Sequence, residues 1–114
     1  MYNNAFTDAA AHLLDLPVPL AWPNVAQNIP ILPFIDGTTK EHATYAGESI
    51  KQADVTLLAY PLGTITDPAQ IRRDLAYYET RAPAQGTPAM MTRSITAFLY
   101  ARLVDGVKAY RSFQ

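Results

Sequence analysis

"TDPAQIRRDLAYYETR", residues 66–81, decides the fold class. Asp67 stands where a helix N-cap belongs, since its carboxylate can accept the free amide hydrogens of a first turn, and Pro68 fills the first helical position, where a missing N–H costs nothing. Gln70, three residues after the cap, is spaced to close a capping box. Ile71, Leu75 and Tyr78 follow at three- and four-residue intervals, so one face of the helix is apolar. Surface ion pairs are expected between Glu79 and Arg72 or Arg73, and between Asp74 and Arg81.

The same grammar recurs downstream. In "GTPAMMTRSITAFLYARL", residues 86–103, Thr87 is a cap with Pro88 next. Its apolar residues, Met91, Ile95, Phe98 and Leu99, cover more than one face, which predicts a deeply buried helix. Asp105 then caps a helix carrying Val107, Tyr110 and Phe113, and the sequence stops at Gln114 without an exit signal,. With many aromatic and alanine positions in so short a chain, some apolar faces are expected to await partners, as in a piece of a larger domain.

Upstream, "ESIKQADVTLLAYPLG", residues 48–63, carries Ser49 and Gln52 at capping-box spacing, which predicts a helix from Ile50,. The run Val55 to Tyr60 is also compatible with a buried strand, because it is short and begins with β-branched residues; helix is favoured. Residues 35–49, with Gly37 and Gly47 among polar neighbours, read as an exposed loop. Prolines at 17, 19, 23, 30 and 33 leave room only for a short helix from Leu20 or Pro23 to Gln27,. A first helix, capped by Asn3 or Asn4, should run to about Leu16. The expected fold class is all-α.

A chain of 114 residues is at most one small domain, and its 49% apolar and 17% charged residues are those expected of a soluble globular protein,. A net charge of −1 provides no electrostatic footprint for nucleic acid or an anionic membrane,. There is no cysteine, and His12 and His42 do not form a metal-ligand spacing, so no metal is expected,. No basic leader and no apolar run of the ~20 residues needed for a membrane span is present. By default the chain is expected to be cytoplasmic, with the compartment of a longer parent left open. No glycine-rich phosphate loop occurs. Tyr77, Tyr78, Tyr100 and Tyr110 could stack on sugars or bases, but their helical spacing favours core packing. His12 reads as a packed histidine; His42, in the loop before the Lys51 segment, is the better candidate of the two.

Lys51 and Gln52 stand apart. If the helix begins at Ile50, Lys51 lies beside its positive end, at a cost of up to about 1 kcal/mol that calls for a compensating partner. Lysine offers three donors and glutamine a donor and an acceptor, so the pair can bracket neighbouring hydroxyls of a hexose. The plainer alternative has Lys51 reaching into water and Gln52 closing the capping box.

"KQADVTLLAYPLG" closely resembles the "KQADVVLL.YPL" segment of glycoside hydrolase family 65. "MYNNAFTDAA" is similar to the "NN..YTN" stretch after that family's general-acid segment, "EHATYAG" to its "HPEYEGY" loop, and "IRRDLAYYETRAPAQGTPAMMTRSITAFLYARL" to the "RR.NL.YYE...SPQGPAMTWS" block of its trehalase-like branch. Essentially all 114 residues are covered. The resemblance implies part of an (α/α)6 barrel, with Lys51 and Gln52 holding the non-reducing glucose and Thr87 lining the site. It also implies a small α-glucoside as ligand, no cofactor, and the remainder of the catalytic domain as partner. The family's general acid lies upstream of the position matching Met1 and its hydrolytic base beyond that matching Gln114. Catalytic residues are therefore expected to be absent from this chain.

Phosphorylases of the family carry a serine-rich "HDSSLSPS"-type stretch, where this chain has "APAQGTPAMMTRS". That departure favours the hydrolytic branch, in which inversion uses one carboxyl as acid and another as base. Met90-Met91, and Arg93 where tryptophan is usual, are further departures. A phosphorylase fragment and a small stand-alone helical binding or scaffold module are the alternatives. The module would melt cooperatively without binding apolar dyes, whereas a piece of a barrel would expose apolar faces.

Overall fold

The helix expected at Pro68 forms as its cap directs. In the computed structural model, which describes residues 10–81 and 90–114, the Asp67 carboxylate accepts from the amides of Ala69 (3.1 Å) and Gln70 (3.3 Å). The helices are α1, described over residues 10–14, α2 (Ala21–Asn28), α3 (Pro68–Glu79), α4 (Met90–Arg102) and α5 (Gly106–Phe113), with a 3-10 helix over Asp54–Leu58. Among the described residues there is no strand, only an isolated antiparallel bridge between Pro33 and Thr39. The all-α expectation holds.

The chain divides into two units, one ending at Ile31 and one spanning Leu32–Gln114. In the first, α1 stops short of Leu16 because Asp15 adopts a positive φ of 52° and the Leu16 amide turns back to the Ala11 carbonyl. α2 begins within the expected window and carries Pro23 in its first turn, where the proline interrupts no hydrogen bond,. Leu13, Leu14 and Leu20 are exposed.

In the second unit, Leu75, Leu99 and Tyr100 form one buried cluster, with Ile71, Ile95 and Ala109 packed against it. Tyr45, Val55 and Tyr78 form another, joined by Phe34 and Tyr77. The predicted apolar face of α3 thus splits between two clusters. α4 corrects its expectation: only Leu99 and Tyr100 are buried, while Met91 and Phe98 remain exposed. One strip of α4 meets α3 and α5. Phe98 lies against the Tyr60 ring, with centroids 4.5 Å apart, yet both rings stay open to solvent on their outer side.

Asp105 caps α5 as expected, accepting from the Lys108 amide at 3.1 Å. Arg72 pins the preceding turn, donating to the Leu103 carbonyl (2.6 Å) and lying 3.7 Å from the Asp105 carboxylate. That turn places Val104 at φ 59°, a conformation that costs a side chain with a Cβ about 1–2 kcal/mol,. Val107, Tyr110 and Phe113 line an exposed face of α5, with Phe113 77% exposed; Tyr110 therefore departs from the core packing expected of it.

The loop over residues 35–49 departs most from expectation. It holds Thr38, Thr39 and Tyr45, exposed by only 1%, 3% and 1%. A tight turn folds it inward: Gly37 at φ 83° donates to the Phe34 carbonyl, the Thr38 amide to Asp36, and the Phe34 amide to the Thr38 carbonyl. A Cβ on Gly37 would sit 3.0 Å from Arg73 Nη1. The hydrogen bonds of Thr38 hold the Asp36 carboxyl below the ordinary carboxylate range.

Candidate functional site

The candidate site is assembled on a buried anchor. Asp74, 4% exposed, accepts from the Thr39 amide (2.8 Å), the Thr39 hydroxyl (2.8 Å) and the Gln70 side-chain amide (2.9 Å). Gln70 also donates to the Gly37 carbonyl at 2.8 Å. It therefore reaches across to the loop instead of closing a capping box. The surface ion pairs expected of this helix are likewise replaced: Asp74 binds the loop, and Glu79 accepts from the Tyr100 hydroxyl at 2.9 Å. Tyr78 donates to the Thr39 carbonyl at 2.7 Å, and burial pushes its hydroxyl well above the ordinary tyrosine range. Loop and α3 are thus locked through groups that would be costly to leave unpaired.

Lys51 and Gln52 lie in a strap between this anchor and α4. The helix expected from Ile50 does not form there: Lys51 occupies a bend and helical structure begins at Asp54, in 3-10 form. The partners explain why. Ser49 Oγ and the Ile50 amide both donate to the Arg81 carbonyl, at 3.1 and 2.9 Å, and the helical turn starts only at Asp54, beyond the reach of the serine as a cap. The carboxylate of Glu41 does so instead, accepting from the amides of Asp54 (2.8 Å) and Val55 (3.1 Å). Since Lys51 precedes that helix, the dipole cost expected of it does not arise at this position. Thr92 of α4 donates from Oγ1 to the Lys51 carbonyl at 3.2 Å.

A cavity of about 330 Å³ lies beside the strap, within the size range of small-molecule sites,. Gln52, Asp54 and Thr56 line it from one side, Tyr78 and Glu79 from α3, Thr92, Arg93 and Thr96 from α4, and Arg111 and Ser112 from α5. Apolar wall comes from Ile50, Leu57, Leu75, Met91 and Ile95. Gln52 is half-buried and part of this lining; Lys51 is exposed and is not. Thr87 lies outside the described residues. Amide, hydroxyl and charged groups over an apolar floor suit a ligand that presents both hydroxyls and C–H faces. His42 is exposed, packed edge-on against Tyr45, with Nε2 3.9 Å from Glu48. Among the described residues no group of three or more His, Cys, Asp or Glu could hold a metal ion. No helix there is long and apolar enough to cross a membrane.

Burial raises the Glu41 carboxyl above its ordinary value of 4.5, against the two amides that favour its charged form. The folded state therefore holds this proton more tightly than the unfolded chain. Glu41 contributes stability that is complete below pH 4.5 and is lost as pH rises through its folded pKa,. The stability of wild type relative to Glu41→Gln should accordingly fall as pH rises through the window just above 4.5, measured by urea unfolding at a series of pH values,. A difference that rose over that window would contradict the burial.

The chain resembles known glycosidases. It is 54% identical over 123 residues to a kojibiose hydrolase of Mucilaginibacter mallensis, the match covering 98% of the chain and 18% of that protein. A kojibiose hydrolase of Flavobacterium johnsoniae is 45% identical over 112 residues, covering 98% of the chain and 16% of the relative. A periplasmic/secreted acid trehalase of Candida glabrata is 41% identical over 88 residues, 74% of the chain and 7% of the relative. The chain spans less than a fifth of each of these relatives. These likenesses support a family relationship with glycosidases. No family model matches the chain.

Proposed function

We propose that this chain is a segment of a glycoside hydrolase family 65 catalytic domain, part of an (α/α)6 barrel, and that the complete enzyme hydrolyses the α-glucosidic bond of a glucosyl disaccharide. The observation that carries the reading is the 54% identity to a kojibiose hydrolase over nearly the whole chain. Kojibiose is accordingly the first substrate to test, with trehalose second.

In this reading Lys51 and Gln52 grip the glucose on the non-reducing side of the bond, and Thr87 lines the same subsite. Three ammonium donors and the two-sided amide fix the hydroxyls and with them the ring, so that the anomeric carbon faces the attacking water in one orientation. The proton transfers belong to two carboxyl groups, one acid and one base, about 6.5–9.5 Å apart to admit that water. The resemblance assigns both to parts of the protein outside these 114 residues.

The test uses the full-length gene product with kojibiose. Inverting hydrolysis releases β-glucose first from the α-linked residue, which proton NMR resolves before mutarotation. Release of α-glucose first would contradict inversion. Glucose 1-phosphate in phosphate buffer would favour the phosphorylase alternative instead.

A further inference from the structure

We infer that Glu41 and Thr92 are positioning residues that set the register of Lys51 and Gln52, an inference that rests on the sugar-binding reading above. The pair lies on a short strap whose backbone is held from three separate elements. The Arg81 carbonyl, just past α3, receives the Ile50 amide at 2.9 Å on the upstream side. On the downstream side the two oxygens of Glu41 take the amides of Asp54 and Val55 at 2.8 and 3.1 Å. Between them, Thr92 reaches from α4 to the Lys51 carbonyl at 3.2 Å.

These contacts matter because the strap has no regular structure of its own before Asp54. In an α-helix the direction of a side chain follows from the backbone ladder. Here it follows from whichever outside groups hold the peptide planes. Glu41 supplies a bidentate acceptor, which fixes two consecutive amides and hence the direction in which the strap leaves the 3-10 helix. Thr92 fixes the peptide plane between Lys51 and Gln52 themselves, so its loss would free those two side chains to turn relative to each other. Glu41 lies outside the cavity lining, and Thr92, which borders the cavity, gives its hydroxyl proton to the Lys51 carbonyl, so each holds the strap through its backbone.

The test compares four forms of the full-length protein on kojibiose: wild type, Glu41→Ala, Thr92→Val and Thr92→Ser, each also made in a Lys51→Ala background. Positioning predicts that Glu41→Ala and Thr92→Val each lower kcat/KM by ~10- to ~100-fold, the scale of loss expected when a reacting geometry slips by about 1 Å. Thr92→Ser, which keeps the hydroxyl, restores activity. Because both residues act through Lys51 and Gln52, their effects shrink in the Lys51→Ala background. The same factor lost in both backgrounds, or no loss from Thr92→Val, overturns the positioning role while leaving the sugar-binding reading intact. Wild-type kcat/KM in Lys51→Ala overturns that reading, and the inference with it. Glu41→Gln, which keeps one acceptor, replaces Glu41→Ala if the latter does not fold, and is expected to lose activity in the same direction.

Discussion

Asp74→Ala is expected to cost about 4 kcal/mol of folding stability, read as a drop in the urea midpoint at unchanged slope. The side chain is a single acceptor site serving three donors: the Thr39 amide, the Thr39 hydroxyl and the Gln70 side-chain amide. Truncation leaves all three buried or half-buried without their carboxylate, and each unsatisfied group costs about 1–3 kcal/mol when water cannot reach it. The losses do not simply add, because Gln70 can still donate to the Gly37 carbonyl at 2.8 Å,. Asp74→Asn retains one acceptor and should lose roughly half as much. A change of less than about 1 kcal/mol in Asp74→Ala would mean that the loop is not anchored through this carboxylate.

The second large effect follows from the proposed glucose-binding role of Lys51. Lys51→Ala in the full-length protein is expected to lower kcat/KM for kojibiose by roughly 100- to 1,000-fold, the range seen when one preorganised donor is removed from a reacting centre. Folding should barely change, since Lys51 is exposed and its hydrogen bond to α4 runs through its backbone carbonyl, which alanine retains. Gln52→Ala should follow the same direction. A loss confined to KM would identify uniform binding of glucose, and a loss confined to kcat an interaction made in the transition state.

The cap at Asp67 and the cap at Asp105 were legible in the sequence because both act within three residues, where a short polar side chain and a turn of helix have fixed geometry,. The same rule failed at Ser49 for a physical reason. The Arg81 carbonyl takes both the serine hydroxyl proton and the Ile50 amide, which holds the backbone out of a helical turn, and no local spacing reveals that partner. Glu41 is thirteen residues from the amide it caps, and Asp74 thirty-five from the threonine it holds, so neither role follows from periodicity. Polar composition made residues 35–49 read as surface, yet short threonines can be buried when a carboxylate and a tyrosine satisfy them. Their satisfaction depends on α3, and only the folded chain brings the two together.

The residues proposed to bind glucose show the same division. Lys51 and Gln52 stand out from resemblance, and from the number of donors and acceptors that they offer at adjacent positions. What holds them could be found only in the fold, as could the reason why a cation is tolerated there. The bend places Lys51 before the helical turn, and the carboxyl oxygens of Glu41 accept the first amides of that turn.

The most direct measurement is the crystal structure of the full-length protein with glucose bound. The account predicts Lys51 Nζ and the Gln52 amide within about 2.7–3.2 Å of hydroxyls on one sugar ring. Glucose seated away from both residues, with the strap in the same conformation, would contradict it.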